Sequence, residues 1–386
     1  MQPIQRIRDL LREWVKDVKV EALPAVGGAQ EDLQRPDSEE VEDRAWGTKE
    51  QVHDTVWERL PNGERIDSEK PYRPTPPIPR HVQHRFRYFI DGSVRSYFLG
   101  TVLGHDRDTP ILYAQIGACA LRRADDGAVS VHALETRHLL LAEQQVLSPQ
   151  AWGRLQSLCT QNSVVLVDTS PNQSGVDTSP NRSDAMGIDP RNRANGIARF
   201  QMRCLEGEIM RQLLPHLGDE WLIMDGSLMF DPIRRILLSY STQLPVLGVS
   251  KNFRKDPQFY VGRGSGAKRY SIYRLLAELP HEHRTLAFRA LDGQVAFWYV
   301  RLRPQGALDY PLMGVVKCEL VTPSYEPPDS RLLDELSGAL VAERSVSPHG
   351  RDRRWHAHLY PIYLAEQAIR NRFYSHEVVR QLMRWR

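Results

Sequence analysis

Cysteine, long apolar runs and a surplus of either charge are all scarce in this chain of 386 residues. The four cysteines are far apart and form no CxxC pair, which argues against a zinc knuckle or a disulfide framework and favours a reducing cytoplasm. No apolar run approaches the roughly 18 residues of a bilayer-spanning helix, and the charged N-terminus lacks the apolar stretch of a signal peptide. We therefore expect a cytoplasmic protein with no membrane segment.

The charges of the chain nearly cancel, since 51 Lys and Arg stand against 48 Asp and Glu and leave a formal net charge of +3. With 41% hydrophobic residues the chain can form a sizeable core, which excludes global disorder. The placement of the charges is more informative than their total. Seven acidic residues and one basic residue lie between Glu31 and Asp43 without apolar periodicity, a composition that predicts a solvated linker.

The first 80 residues read as a helix followed by linkers. Apolar residues recur at helical spacing near the N-terminus, at Ile4, Ile7, Leu10, Leu11 and Trp14. This amphipathic helix packs either on its own domain or on a partner subunit. The segment PYRPTPPIPR at 71–80 has five prolines and predicts an extended connector. We therefore divide the chain into residues 1–80, a helix and linker with a potential docking role, and residues 81–386, the main domain.

The main domain shows short apolar runs that end at polar residues, as buried strands of a mixed sheet do. Four runs lead into a charged residue: FRYFI into Asp91, VVLV into Asp168, WLIM into Asp225 and LPVLGVS into Lys251. Further strands are predicted at 111–121, 295–302 and 314–320, and helices at 202–214, at 331–343 and from Tyr363 onward. The fold class is therefore α/β or α+β.

Residues 168–193 contain the near-duplication DTSPNQSGV and DTSPNRSDA, rich in Ser, Pro, Asn and Asp. This composition predicts a loop, and a loop of this length inside a compact domain is usually mobile or functional. It is either a mobile insertion or an element that gates nucleic acid.

Two segments share the pattern of an apolar strand followed by Asp-Gly-Ser, at Asp91 and at Asp225. Either segment alone is typical of a plain turn at the end of a strand. If the two strands are neighbours, both carboxylates enter one site, where their repulsion is costly unless a cation is shared. The pair therefore points to a metal site.

A third acid precedes the second motif, on the predicted helix FQMRCLEGEIMRQLL. Either Glu206 or Glu208 can face the sheet, and Glu206 borders the apolar stripe more closely. Carboxylate oxygens suit Mn²⁺ or Mg²⁺ rather than zinc. Such ions, paired about 4 Å apart, activate water for phosphodiester hydrolysis. The constellation predicts a nuclease, with plain solvent-facing acids as the alternative.

The order of these motifs resembles the NurA family of DNA-end-processing nucleases. The matching segments are IDGS with Asp91, the helix with Glu206, MDGSL with Asp225, LGVSKN with Lys251, and HLYPIYLAEQAI with Tyr360 and Pro361. Where the family's closing helix usually has a metal-site His or acid, this chain has Glu366. Either Glu366 replaces that ligand, or His358 does, or the position is lost.

The resemblance covers roughly residues 82–386 and implies an RNase H-like mixed sheet flanked by helices. It implies a Mn²⁺- or Mg²⁺-dependent deoxyribonuclease that acts as a 5′–3′ exonuclease on single- and double-stranded DNA ends. The metal ligands would be Asp91, Glu206, Asp225 and Glu366, with Lys251 assisting at the phosphate or the water. The family also implies a homodimer and a hexameric HerA-type ATPase as partner, in DNA repair by end resection or in antiphage defence. The alternative is an inactive DNA-binding scaffold subunit.

The segment from Lys251 to Arg274 has seven basic residues against one acid, with aromatic residues between them. Basic side chains neutralise phosphates and aromatic rings stack on unpaired bases. The candidate DNA-binding residues are Arg254, Lys255, Arg263, Lys268, Arg269 and Tyr270. The alternative is a solvated basic loop.

Overall fold

The structure of the chain is a computed structural model. It describes residues 3–24, 53–62, 70–79, 84–104, 107–171, 189–253, 258–261, 268–306, 309–346 and 355–382.

Fifteen strands and eight α-helices lie within these ranges. The strands are β1 (Ala22–Pro24), β2 (His53–Val56), β3 (Tyr72–Pro74), β4 (Phe86–Val102), β5 (Thr109–Arg123), β6 (Val129–Ala142), β7 (Val165–Asp168), β8 (Trp221–Asp225), β9 (Val246–Ser250), β10 (Gln258–Val261), β11 (Lys268–Ser271), β12 (His283–Thr285), β13 (Phe288–Ala290), β14 (Val295–Arg301) and β15 (Val315–Val321). The helices are α1 (Pro3–Val18), α2 (Pro149–Gln161), α3 (Pro190–Leu213), α4 (Asp231–Leu238), α5 (Ile272–Ala277), α6 (Ser330–Glu343), α7 (Tyr360–Arg370) and α8 (His376–Leu382).

A large mixed sheet organises the chain, in the order β2-β13-β14-β15-β9-β8-β4-β5-β6-β7. Strands β4, β5 and β6 form an antiparallel meander. On the other side of β4, strands β8 and β9 run parallel to it. Helices flank both faces, so the predicted α/β class with a mixed sheet is confirmed.

Strand β4 is longer than the sequence analysis predicted. The Asp-Gly-Ser pattern indicated that the strand ends at Asp91, but β4 continues to Val102. Its second half stays paired with β5, with Val94 opposite Ile116 and Tyr97 opposite Tyr113. Apolar residues after the motif give this half a buried face, which outweighs the turn preference of Asp-Gly-Ser. By contrast, β8 does end at Asp225.

The C-terminal helix predicted from Tyr363 onward is two helices. Helix α7 ends at Arg370, and Asn371 follows as its C-cap. The Ser375 hydroxyl then accepts a hydrogen bond from the Val378 N–H at the start of α8. Such a serine cap satisfies a backbone donor that a new helix start leaves open. Strand β6 and helix α2 were not predicted.

The N-terminal segment contributes to the large sheet. Strand β1 pairs with β4, β2 with β13, and β3 with β12. The predicted boundary between residues 80 and 81 therefore falls within one sheet. The Pro-rich connector supplies only the short marginal strand β3. The acidic stretch 31–43 lies outside the described residues.

Helix α1 buries its apolar stripe inside the chain. Ile7, Leu10, Leu11 and Trp14 are fully buried in a cluster with residues of α2 and of the sheet. The Trp14 indole N–H donates to the Ala151 carbonyl in α2 at 2.8 Å. This stripe therefore faces the chain's own domain, and the side chain of Ile4 lies outside the described residues.

The predicted loop 168–193 is described only at its two ends. Asp168 ends β7, and its carboxylate accepts hydrogen bonds from the Gln144 and Ser170 N–H groups. At the other end Asp189 caps α3, accepting from the Arg191 N–H at 2.9 Å. Residues 172–188, with most of the duplication, lie outside the described residues.

Two cores cover the two faces of the sheet. Helices α3, α4 and α5 pack on one face, with Leu205 and Ile233 among their buried residues. Helices α6 and α7 pack on the other, with Leu336 and Ile369. None of the helices in the described ranges combines the length and apolar character needed to traverse a bilayer.

Replacing Trp14 tests whether α1 is part of the folded domain. Trp14→Ala removes a buried ring and a hydrogen bond, so we expect a loss of about 3–5 kcal/mol in the free energy of unfolding. The measurement is urea denaturation followed by circular dichroism. Lys16→Ala, on the exposed side of α1, is the control, expected within about 0.5 kcal/mol of wild type. A Trp14→Ala loss below about 1 kcal/mol would show that α1 does not stabilise the domain.

Candidate functional site

The two Asp-Gly-Ser motifs lie side by side in the middle of the sheet. Strands β4 and β8 are parallel neighbours, and Ile90 pairs with Met224 one residue before each aspartate. Residues two apart in a strand point to the same face. Asp91 lies two residues after Phe89, and Asp225 lies two residues after Ile223. Both of these apolar residues lie in the core under α6 and α7. The two carboxylates therefore share this face of the sheet.

Lys251 joins the pair from the next strand. It follows β9 directly, and its Nζ lies 2.8 Å from Asp225 Oδ2. Burial lowers the pKa of Lys251, but the carboxylates of Asp225 and Asp91 outweigh this effect and raise it overall. Lys251 thus keeps its positive charge in a buried setting.

Helix α7 brings Glu366 to the same face. Its neighbours in the helix, Ala365 and Ile369, are buried against the sheet. Glu366 Oε1 lies 2.6 Å from Arg370 Nη2, one helical turn further on. His358, the other candidate for this position, is buried just before α7 begins. The charge of Glu366 acts on both Asp91 and Lys251.

Asp91 is a buried acid whose pKa is shifted by several charged groups of the site. It is 6% exposed, and burial is the main cause that raises its pKa well above the ordinary value. The charge of Asp225 raises this pKa further and Lys251 lowers it, while Glu366 and Glu206 also raise it. Among the described residues no cation lies within ion-pair distance of Asp91, and its carboxylate accepts from the adjacent Gly92 N–H at 2.8 Å. A buried carboxylate with so little compensation is costly.

Glu206 approaches from α3, on the other face of β4. Its side chain is buried, whereas Glu208 points away and pairs with Arg137 of β6. Glu206 therefore faces the sheet, as its place beside the apolar stripe predicted. A Cβ at position 92 would overlap the Glu206 carboxylate and lie 3.0 Å from Met202 Cγ. Only glycine at this position lets the acid reach the strand.

Arg203 is a site residue that the sequence analysis missed. It pairs with Glu206 and donates to the carbonyl oxygens of Asp225 and Ser227, each at 2.7 Å. Gly226 between them has φ +94°, and a Cβ there would lie 2.9 Å from Arg203 Nη1. The spacing of Arg203 and Glu206, three residues apart on one helix, was the available signal.

Glu319 and Lys317 are a second missed pair, in β15. This strand is buried along its whole length, and Lys317 Nζ lies 3.0 Å from Glu319 Oε1. Two charged residues at spacing two within the apolar run GVVKCEL were the signal. Such charges are rarely buried unless they are paired.

The basic segment is only partly described, and Lys251, its first residue, pairs with the Asp225 carboxylate. Lys268 and Arg269 of β11 are exposed, as contact with phosphates requires. Tyr270, predicted to stack on bases, instead lies in the core on the α3 face, 9% exposed, because β11 needs a buried side chain to pack on the sheet. The exposed aromatic residues of this region are Tyr260 and Tyr273. Arg254, Lys255 and Arg263 lie outside the described residues.

The carboxylate oxygens of Asp91 and Asp225 are ligands that suit a hard divalent cation. The described side chains around them are, however, not arranged as a complete metal site. Within the described ranges no three His, Cys, Asp or Glu side chains form a group that would hold a metal ion. Basic side chains engage the acids instead: Lys251 binds Asp225, Arg370 binds Glu366 and Arg203 binds Glu206. Asp91 is buried and Asp225 half-buried, and their carboxylates repel each other with only Lys251 to offset the repulsion, the chemistry that Mg²⁺ and Mn²⁺ satisfy.

No protein-family model and no curated protein sequence matches this chain. The fold and the geometry of the site therefore carry the functional argument.

Gly92→Ala tests the close approach of Glu206 to β4. The added methyl would overlap the carboxylate, so we expect a loss of about 1–3 kcal/mol in stability, measured by urea denaturation. Gly153→Ala is the matched control: apart from its chain neighbours and the backbone of its own helix, no atom lies within 4 Å of a Cβ there, and alanine in the interior of α2 should stabilise by about 0.5–1 kcal/mol. Equal stabilities of the two variants would show that Glu206 does not approach Gly92.

Proposed function

We propose that this chain is a divalent-metal-dependent deoxyribonuclease that resembles the NurA family. The observation that carries the proposal is the juxtaposition of Asp91 and Asp225 on adjacent parallel strands. Lys251 and Glu366 approach the same face, so the motifs found in sequence order meet in space. A partly buried cluster of acids with one lysine suits the handling of a phosphodiester better than it suits a purely structural role.

In this proposal Asp91 and Asp225 hold Mn²⁺ or Mg²⁺, with Glu366 nearby and Glu206 reaching the strand from the α3 face. The bound cation supplies an activated water and stabilises charge on the phosphate. Lys251 retains its proton at Nζ, so it serves as a positive charge beside the phosphate and not as a base. Its ion pair with Asp225 also orients that carboxylate.

The strand order supports an RNase H-like core for the proposed enzyme. Strands β6, β5 and β4 form the antiparallel part, and the parallel strands β8 and β9 follow on the other side of β4. Asp91 comes from β4, the first strand of the antiparallel meander. Asp225 comes from β8, the parallel strand next to it. This arrangement agrees with the fold that the resemblance implies.

The second candidate is a DNA-binding scaffold subunit with little or no hydrolysis. It is favoured by the absence, within the described residues, of a ready group of three metal-binding side chains, and by the missing His on the closing helix, where this chain has Glu366 instead. Metal binding distinguishes the two candidates, because the scaffold needs none.

DNA ends, a second copy of the chain and a HerA-type hexameric ATPase are the proposed partners, in end resection or antiphage defence. Exonuclease action with 5′–3′ polarity belongs to the same proposal. Since α1 buries its apolar stripe, docking of the ATPase on α1 would use the exposed side of that helix, around Glu13 and Lys16. Co-purification of the two proteins tests this contact.

The proposed activity is tested by degradation of end-labelled single- and double-stranded DNA with Mn²⁺, Mg²⁺ or EDTA, with and without the cognate translocase. We expect metal-dependent cleavage in the wild type. Asp91→Asn and Asp225→Asn should each lose more than about 100-fold in cleavage rate. Changing a residue that only supports a metal ligand costs about 10–100-fold, and loss of the ligand itself should cost more.

Asp125→Asn, at a fully exposed acid far from the site, is the control and should cleave like the wild type. If the wild type stays inert with metal and translocase but still binds DNA, the scaffold candidate replaces the nuclease. Wild-type rates in both site variants would mean that cleavage takes place elsewhere.

A further inference from the structure

Glu319 binds the turn that follows Asp225. Its Oε2 accepts hydrogen bonds from the Ser227 hydroxyl at 2.8 Å, the Leu228 N–H at 2.7 Å and the Met229 N–H at 3.3 Å. Glu319 is completely buried, and Lys317 balances its charge through Oε1. One carboxylate oxygen thus accepts from three donors of this turn, although the Met229 N–H is shared with the Ser227 hydroxyl oxygen at 3.1 Å.

Arg203 holds the same turn from the opposite side. Whereas Glu319 accepts from N–H and O–H groups of residues 227–229, Arg203 donates to the carbonyl oxygens of Asp225 and Ser227. The Gly226 N–H donates to the Val249 carbonyl of β9 at 2.8 Å. These polar contacts hold the chain on either side of Gly226, which has the positive φ of +94° that glycine adopts readily.

The contact between Glu319 and the turn affects the position of Asp225 through the backbone. Asp225 is the last residue of β8, so the direction of its carboxylate depends on the path of the chain into residues 226–229. Glu319 does not touch the Asp225 carboxylate, and it lies on the sheet face that α3 covers, whereas Asp225 and Lys251 lie on the other face. It therefore acts on the site only through the turn.

We propose that Glu319 is a positioning residue for the reaction at Asp225. This inference rests on the proposed nuclease function and names a residue that the resemblance does not supply. A buried carboxylate needs hydrogen-bond donors whatever its role, and what points to positioning is that the donors to Glu319 Oε2 all belong to the turn beside Asp225. Charge-assisted hydrogen bonds of this kind are about twice as strong as neutral ones, which suits a fixed turn.

Glu319→Gln tests the role with little change of shape, because the amide keeps an acceptor oxygen but loses the negative charge. We expect the cleavage rate at saturating DNA to fall about 10–100-fold, with the KM for DNA unchanged. The concentration of Mn²⁺ that half-saturates the protein, followed by the electron paramagnetic resonance of the free ion, should rise about 10-fold. Amide exchange at Leu228 and Met229 should become faster.

Two further variants keep the test falsifiable. Ser227→Ala removes one of the three donors and should shift the same readouts in the same direction but less. Glu343→Gln is the matched control, since Glu343 is equally buried and binds Arg123 at 2.7 Å, away from the turn. It should lose stability while its cleavage rate, Mn²⁺ binding and amide exchange at residues 228 and 229 stay at wild-type values.

A wild-type cleavage rate and wild-type Mn²⁺ binding in Glu319→Gln would overturn the positioning role and leave the nuclease intact. Equal losses of rate in Glu319→Gln and Glu343→Gln would also overturn it, because general destabilisation would then be the cause. If the wild type itself neither binds Mn²⁺ nor cleaves DNA, the proposed function fails and this inference fails with it. The activity of the wild type separates the two kinds of failure.

Discussion

The parallel pairing of β4 with β8 is the constraint on which the candidate site depends. It sets Asp91 beside Asp225 on one face of the sheet, although the two residues are far apart in the chain. Lys251 then follows from the next parallel strand and Glu366 from the helix that packs on this face. If β8 were shifted by one residue, Asp225 would point to the opposite face and the cluster would not form.

The repulsion among the acids of the cluster supports the proposal that they bind a cation. Asp91 is buried beside three other acids, while the described basic side chains around it bind those acids rather than Asp91. The ammonium of Lys251 offsets part of this charge and lowers the pKa of Asp91, although burial and the other acids raise it overall. Such a site is costly to maintain without a ligand, which is why a functional role is the better explanation.

Local patterns in the sequence predicted many elements but not their pairing. Apolar runs indicated β8, β9, β14 and β15, because buried strands must be apolar, and the helical stripe indicated that Glu206 faces the sheet. The continuation of β4 was missed because Asp-Gly-Ser is ordinary turn chemistry and only pairing with β5 overrides it. Arg203 and Glu319 were missed because both bind the turn after Asp225 largely through its backbone groups, and the sequence does not show such contacts. Tyr270 was misplaced because burial depends on tertiary packing.

The most direct test of the central claim is a crystal of the protein soaked in Mn²⁺ and measured for anomalous scattering by manganese. The account predicts an anomalous peak at bonding distance from one carboxylate oxygen of Asp91 and one of Asp225, with Lys251 displaced from Asp225 Oδ2. No peak at these carboxylates, with the 2.8 Å pair between Lys251 and Asp225 intact, would contradict it.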